Sequence, residues 1–250
     1  MSDGGRGVLD FDSYVELQKR YPRAVGNDYM LPADLRRGFE SGVLTIGADD
    51  QALFLFEKRE GFTKLHFRLI DSCAAVAPQE EPLAAFLTYR EGFFPEAAAD
   101  WLLGQGFVET KTLRRHSAYS ITGELSLDGV ERASADEAYA MLGGYFSAVE
   151  ADLPCRELFE GALCVRSQDG RPVGMYYMGR TPVVAVAREA RGKGVGRALF
   201  RAYAAIKAGE GKKSAFYEWI SMDNAASLAM FEGLGFTADD VLSDCYVRAP

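Results

Sequence analysis

The chain has 250 residues, of which 48% are hydrophobic and 26% charged, a composition that excludes collagen-like, disordered and disulfide-scaffold proteins. Its formal charge of −8 at pH 7 makes nucleic acid and anionic membranes poor partners. No apolar run approaches the ~18 residues of a membrane span, and the N-terminus lacks a secretory-signal pattern. We therefore expect a cytoplasmic protein with reduced thiols. The cysteines form no C-x-x-C motif: Cys73, Cys155, Cys164 and Cys245.

The N-terminal half is predicted to be α/β. Glycine turns and apolar runs indicate a hairpin across Gly61 and a helix that ends at Gly106. The predicted helices are Asp12–Arg20, Ala33–Glu40 and Glu96–Gln105, and the predicted strands are Ala52–Lys58, Lys64–Ile70, Leu83–Tyr89 and Phe107–Tyr119.

A soft boundary near 120–129 separates this half from a second series of elements. Ser134 and Glu137 predict a capping box, and Asp169-Gly170 predicts a hairpin. The predicted helices are Ala135–Val149, Gly196–Ala208 and Ala225–Leu234, and the predicted strands are Val130–Arg132, Leu163–Ser167, Pro172–Met178, Val183–Ala187, Ala215–Ser221 and Val241–Val247.

The two halves resemble each other. DWLLGQGFVETKTL at 100–113 matches AMFEGLGFTADDVL at 229–242 in outline, and the order of elements around both segments is similar. This predicts two copies of one α/β unit with a mixed sheet, as domains 1–125 and 128–250.

The segment VVAVAREARGKGVGRALF, residues 183–200, is the most informative. Glycines at every second position let the backbone approach a ligand closely, and the first amides of the following helix have no intrahelical partner. A strand, a glycine turn and a helix in this order predict a phosphate or pyrophosphate site. Arg197 and Leu199 stand where a Rossmann fingerprint needs Gly or Ala, and the spacing before Gly211-Lys212 is wrong for a P-loop.

The run Arg191-Gly192-Lys193-Gly194-Val195-Gly196 fits R-x-x-G-x-G and resembles motif A of the GNAT superfamily of N-acetyltransferases. A second segment, from Asn224 to Phe236, resembles that family's N-x-x-[AS]-x-x-[LM]-[YF]-E-x-L-G-F motif, and the spacing between the two is kept. The resemblance covers about 128–250 and implies a GNAT fold with acetyl-coenzyme A as the acyl donor and no metal.

The resemblance also implies a set of cofactor-binding residues. The strand residues would bond the pantetheine arm through their backbone, the turn would cradle the pyrophosphate, and Asn224 would contact the pantetheine or hold two splayed strands apart. Phe231 would lie near the thiol. The set is Val184, Ala185, Val186, Arg191, Gly192, Lys193, Gly194, Val195, Gly196, Asn224 and Phe231.

The family's acid and base positions are vacant here. Phe231 stands where many members carry an acidic tyrosine, and a phenyl ring has no proton to donate. Pro182 and Trp219 stand at the usual carboxylate positions. Glu218 is the candidate base, although strand alternation turns it to the opposite face unless a bulge shifts the register. Weaker candidates are Tyr176, Tyr177 and Tyr246, whereas His66, His116, Lys111, Arg114 and Arg115 are expected to be structural or surface groups.

Residues 1–125 lack the R-x-x-G-x-G turn and are expected to form a degenerate companion unit. The expected function is acetyl transfer to a primary amine of a small molecule or peptide by direct attack in a ternary complex. One alternative is a non-catalytic acyl-coenzyme A sensor, which the vacant acid and base positions favour. Another is an aminoacyl transferase that uses aminoacyl-tRNA, which the acidic balance opposes.

Overall fold

A computed structural model describes residues 10–21, 25–27, 30–71, 73–77, 79–147, 149, 152–154, 156–179, 182–211 and 215–250, so Cys155 lies outside the described residues. The chain divides into two compact units. The first unit comprises Met1–Thr110 and Asp244–Pro250, and the second comprises Lys111–Ser243.

The described residues form six α-helices and twelve strands. The helices are α1 Phe11–Arg20, α2 Pro32–Glu40, α3 Glu96–Gly104, α4 Ala135–Tyr145, α5 Val195–Gly209 and α6 Ala225–Glu232. The strands are β1 Val25–Gly26, β2 Leu44–Ala48, β3 Ala52–Arg59, β4 Phe62–Leu69, β5 Leu83–Arg90, β6 Val108–Ala118, β7 Glu131–Arg132, β8 Leu163–Arg166, β9 Pro172–Tyr177, β10 Val183–Val186, β11 Phe216–Ser221 and β12 Thr237–Arg248.

In the first unit, β2, β3 and β4 form an antiparallel meander, and β4 pairs in parallel with β5. Both faces of β3 are buried. Phe54 packs in the cluster that contains Trp101 of α3, whereas Leu53 and Leu55 pack with Tyr14 of α1. Alternate side chains of one strand therefore hold helices on opposite faces of the sheet.

In the second unit, β7, β8, β9 and β10 form an antiparallel sheet. Strand β11 pairs with β6 instead, from Phe216↔Ala118 to Ser221↔Leu113. One apolar cluster contains Phe200 of α5 and Phe231 of α6, and another contains Leu142 of α4. Consecutive β10 side chains divide between these clusters, Val184 joining the first and Ala185 the second.

The predicted mixed α/β fold is confirmed. Strands β1 and β2 were not predicted, and β12 begins at Thr237 rather than Val241. Helix α4 ends at Tyr145, short of Val149, because two glycines weaken its last turn and Phe146 adopts an extended conformation.

The predicted domain boundary differs from the compact units. Residues 111–125 fall in the second unit, where β6 pairs with β11, and 244–250 fall in the first, where the end of β12 joins β5. The division into domains 1–125 and 128–250 stays a prediction. Among the described helices, none is long and apolar enough to cross a membrane.

We predict that Phe200→Ala lowers the free energy of unfolding by about 3–5 kcal/mol, since it removes a large ring from a filled core. Phe200 is 1% exposed and lies 5.2–5.8 Å from five other aromatic rings. Urea unfolding measures the change. The control Tyr119→Ala, at a side chain 89% exposed, should change it by less than ~0.5 kcal/mol. Equal effects of the two substitutions would contradict this packing.

Candidate functional site

The glycine turn of the second unit joins β10 to α5. A short 3-10 turn, Arg188–Ala190, follows the strand, and Gly192 and Gly194 then adopt φ of +74° and +81°. A Cβ at either position would have no neighbouring atom within 4 Å. The requirement for glycine is therefore set by the backbone conformation, which residues with a Cβ rarely adopt.

Gly194 is the N-cap of α5 and has no side chain to cap it. The first intrahelical bond runs from Ala198 N to Gly194 O, at 2.9 Å. The amides before Ala198 are thus at the positive end of a 15-residue helix without intrahelical acceptors. Arg191 and Lys193 are both exposed in the same turn. This arrangement is suited to bind a phosphate group.

Val195 and Gly196, the last two residues of the predicted cradle, are packing positions in the structure. A Cβ on Gly196 would lie 2.5 Å from Met230 Sδ of α6. Val195 is half-buried, and its Cγ1 lies where a Cβ on Gly174 of β9 would come, at 2.3 Å. These glycines let α5 approach α6 and β9 closely.

Strands β10 and β11, which precede and follow α5, belong to different sheets and are edge strands of those sheets. The edge of β10 that does not pair with β9 therefore has backbone groups directed away from its sheet, including those of Val184 and Val186. The Val186 carbonyl accepts a hydrogen bond from Arg191 Nε at 3.2 Å. Such an edge is a template for an extended ligand with amide groups.

Asn224 and Phe231 have structural partners. The Asn224 Oδ1 accepts a hydrogen bond from Ser227 N at 3.1 Å and so caps α6. Phe231 is 2% exposed, with its ring in edge contact with Phe200 and Phe236. That cluster is apolar and supplies no proton donor at this position.

Glu218 is buried in the core beneath β11. Its side chain is 3% exposed, and the Tyr176 hydroxyl donates to its Oε1 at 2.6 Å. Burial raises the pKa of Glu218 to about 8, against the hydrogen bond from Tyr176, which lowers it. Burial together with Glu218 raises the pKa of Tyr176 well above 10. Glu218 is therefore a neutral carboxylic acid at pH 7.

This pair was missed in the sequence, where Glu218 and Tyr176 were separate candidates for catalysis. The two residues are 42 positions apart and lie on strands of different sheets. Alternation turned Glu218 away from the usual carboxylate position, and in the structure that face is buried, where a carboxyl needs a polar partner. The sequence offered that signal but not the identity of the partner.

The other candidate groups have structural contacts. Tyr177 packs on Phe159 with ring centroids 4.8 Å apart, and Tyr246 is buried in the first unit. His66 Nε2 lies 3.2 Å from Glu57, and His116 Nδ1 lies 3.2 Å from the Arg114 carbonyl.

Arg115 contacts Asp239 at 2.6 Å, so it belongs to an ion pair rather than to a free basic patch. Within the described part of the chain, no three His, Cys, Asp or Glu side chains are grouped to hold a metal.

The second unit matches a known family. Residues 135–236 match the family model described as the Acetyltransferase (GNAT) family. The matched segment begins at α4, contains the glycine turn and ends at Phe236, just after α6. This segment of the second unit is thus similar to a GNAT acetyltransferase domain. No curated protein matches the chain.

Solved structures share the fold. A putative GNAT acetyltransferase from Novosphingobium aromaticivorans has a TM-score of 0.54 at 19% identity, covering 84% of this chain and 93% of that one. A tandem GNAT protein from the clavulanic acid biosynthesis pathway has a TM-score of 0.56 at 10% identity, covering 97% of this chain and 96% of that one. A GCN5-related N-acetyltransferase from Kribbella flavida has a TM-score of 0.50 at 16% identity, covering 83% of this chain and 90% of that one. The expected tandem GNAT-like fold is confirmed.

We predict that the free energy of unfolding falls as pH rises from about 4.5 to about 8 and that Glu218→Gln removes this loss. Between those pH values the unfolded carboxyl is ionised while the folded one stays protonated, so the folded state binds more protons and loses stability. From pH 5 to pH 8, the free energy of unfolding of Glu218→Gln should rise relative to that of the wild type by on the order of 3 kcal/mol. Urea unfolding at pH 5, 6.5 and 8 measures it; parallel pH profiles would contradict it.

Proposed function

We propose that the second unit binds acetyl-coenzyme A and transfers its acetyl group to a primary amine of a small molecule or peptide. The observation that carries this proposal is the uncapped start of α5 beside the open edge of β10. In this proposal the turn Arg191–Gly196 holds the pyrophosphate, and backbone groups of Val184, Ala185 and Val186 hold the pantetheine arm. No resident metal takes part, and the protein acts in the cytoplasm.

The reaction proceeds in a ternary complex. The neutral amine nitrogen attacks the thioester carbonyl carbon and forms the amide bond. The carbon–sulfur bond breaks, and coenzyme A leaves as a thiol after the sulfur takes up a proton. The amine gives up one proton in return. Because attack is direct, no enzyme thiol carries the acetyl group.

Proton transfer in this proposal goes through water. Phe231 lies in an apolar cluster, and the family's carboxylate positions hold Pro182 and Trp219. Glu218, the catalytic residue predicted from the sequence, is enclosed with Tyr176 in the core. A role for Glu218 as general base is a separate proposal that the Glu218→Gln variant tests.

A second candidate is an acyl-coenzyme A sensor without turnover. The burial of Phe231 favours it, because the position of the family's acid is part of the core here. Release of coenzyme A with a panel of amines separates the two. Saturable binding of acetyl-coenzyme A without release for any amine would support the sensor.

We predict that Gly194→Val weakens acetyl-coenzyme A binding at least tenfold, or by about 1.4 kcal/mol, because a β-branched residue disfavours the left-handed turn that presents the helix amides. Calorimetry on the folded variant measures the dissociation constant.

Gly170→Val is the matched control for this prediction. Gly170 has φ of +82° and nothing within 4 Å of its Cβ position, so the backbone strain is the same, but it lies in the turn between β8 and β9. The dissociation constant of Gly170→Val for acetyl-coenzyme A should stay within twofold of the wild-type value. Unchanged binding by Gly194→Val would end the phosphate-cradle assignment.

We also predict that turnover rises with pH up to the pKa of the acceptor amine and that amines of low pKa are preferred. At pH 7 about a tenth of an amine with a pKa of ~8 is neutral, against less than a thousandth for one of ~10.4. Initial rates at saturating acetyl-coenzyme A, measured over pH 6–10 with two amines of different pKa, give the profile.

In this experiment, the Glu218→Gln variant distinguishes Glu218 from water as the group that removes the amine proton. If water removes the proton, kcat and its pH profile should survive the substitution. A fall in kcat of ~100-fold or more, with loss of an inflection below the amine's own pKa, would make Glu218 a general base and reject the water route.

A further inference from the structure

Two neighbouring parallel strands of the first unit separate along their length. Strands β4 and β5 pair only at their beginning, at Thr63↔Leu83 and Lys64↔Ala84. Beyond Lys64↔Ala84, no further residues in the described parts of β4 and β5 are paired. In the second unit the strands on either side of α5, β10 and β11, likewise do not pair with each other.

Asn27 fills the separation between β4 and β5. Its Nδ2 donates to the Leu65 carbonyl of β4 at 3.0 Å and to the Phe86 carbonyl of β5 at 3.3 Å. Its Oδ1 accepts from Phe67 N at 2.8 Å, and its own backbone N donates to the Phe67 carbonyl at 3.1 Å. Asn27 is only 4% exposed.

The residues before Asn27 extend this contact as a strand. In β1, Val25 pairs with Leu69 and Gly26 with Arg68, antiparallel to β4. A Cβ on Gly26 would lie 2.0 Å from the Phe67 carbonyl oxygen, so only glycine allows this close approach. Residues 25–27 therefore continue the pairing of β4 where β5 has diverged.

We propose that residues 25–27 are an internal plug that occupies, in the first unit, the slot that the second unit offers to the pantetheine arm. A pantetheine arm is an extended chain with two amides, and the plug presents the same donors and acceptors to the strand edge. The binding of a pantetheine arm by the second unit rests on the proposed function. The contacts of residues 25–27 with β4 and β5 do not depend on it. The protein then binds one acyl-coenzyme A per chain.

The sequence supports a closed slot. The stretch 74–82, between β4 and β5, contains no glycine, whereas the corresponding segment between β10 and β11 has the glycine turn. The first unit thus has an occupied strand edge and lacks the phosphate cradle as well. Neither feature alone would exclude an acyl-coenzyme A, but together they leave it no anchor.

Native mass spectrometry and calorimetry with acetyl-coenzyme A on the full chain test the stoichiometry. One bound molecule per chain is expected, and two would overturn the plug. No binding at all would reject the proposed function instead, and the plug is then decided by hydrogen exchange of the Phe67 amide in the full chain. That amide should be protected in the wild type; exchange at the rate of an exposed amide would overturn the plug.

Two variants locate the protection on the Asn27 side chain. Asn27→Ala removes the acceptor of Phe67 N–H, so that amide should exchange at least tenfold faster. Asn27→Asp keeps the acceptor but loses both donors, so it should lower the melting temperature by about 5 °C while Phe67 stays protected. A general loss of stability would speed exchange in both variants and would overturn the assignment.

Gln79→Ala is the control, because that amide group, in an exposed contact, donates to the nearby Ala77 carbonyl and not to Phe67 or β5 among the described contacts. Its Phe67 exchange should match the wild type. If Asn27→Ala does not fold, the Asp variant and the wild-type measurements still decide the proposal.

Discussion

Backbone groups at the edge of a β-strand need partners, and this requirement governs both units of the protein. A sheet that opens between neighbouring strands loses a row of hydrogen bonds at the opening. The first unit meets the need with Asn27, whose side chain contacts both β4 and β5. In the second unit β10 remains an edge strand, and we propose that the cofactor satisfies it. In this proposal, the need for hydrogen-bond partners at a strand edge is met inside the first unit and by the cofactor in the second.

Close packing fixes the position of α5 in the second unit. Gly174 and Gly196 remove the side chains that would collide with Val195 and Met230, so the helix lies near both β9 and α6. The rings around Phe200 fill the space beneath it. Because interiors packed in this way resist deformation, the glycine turn at the head of α5 is held in place before any ligand binds.

Local sequence signals predicted the elements of this site well and its contacts poorly. The glycine turn was readable because left-handed backbone needs glycine and because an apolar strand and a helix flank it. The hairpin at Asp169-Gly170 and the capping box of Ser134 were readable for similar local reasons. By contrast, the partners of Asn27 and Glu218 lie about 40 or more residues away in the chain. Such long-range contacts depend on how sheets pack, which residue spacing alone does not determine.

Two carboxyl groups of the second unit show how environment decides the charge near β6 and β11. Asp239 contacts Arg115 at 2.6 Å and Ser117 at 2.7 Å, and although partial burial raises its pKa, these partners leave the pKa below its ordinary value. Glu218 has an uncharged partner in Tyr176, and burial holds its pKa near 8. Burying a neutral acid in an apolar core costs much less free energy than burying an unpaired carboxylate. Glu218 therefore contributes no fixed negative charge at neutral pH. In the proposed reaction the attacking amine therefore loses its proton to solvent or arrives neutral, since Glu218 is enclosed with Tyr176 in the core.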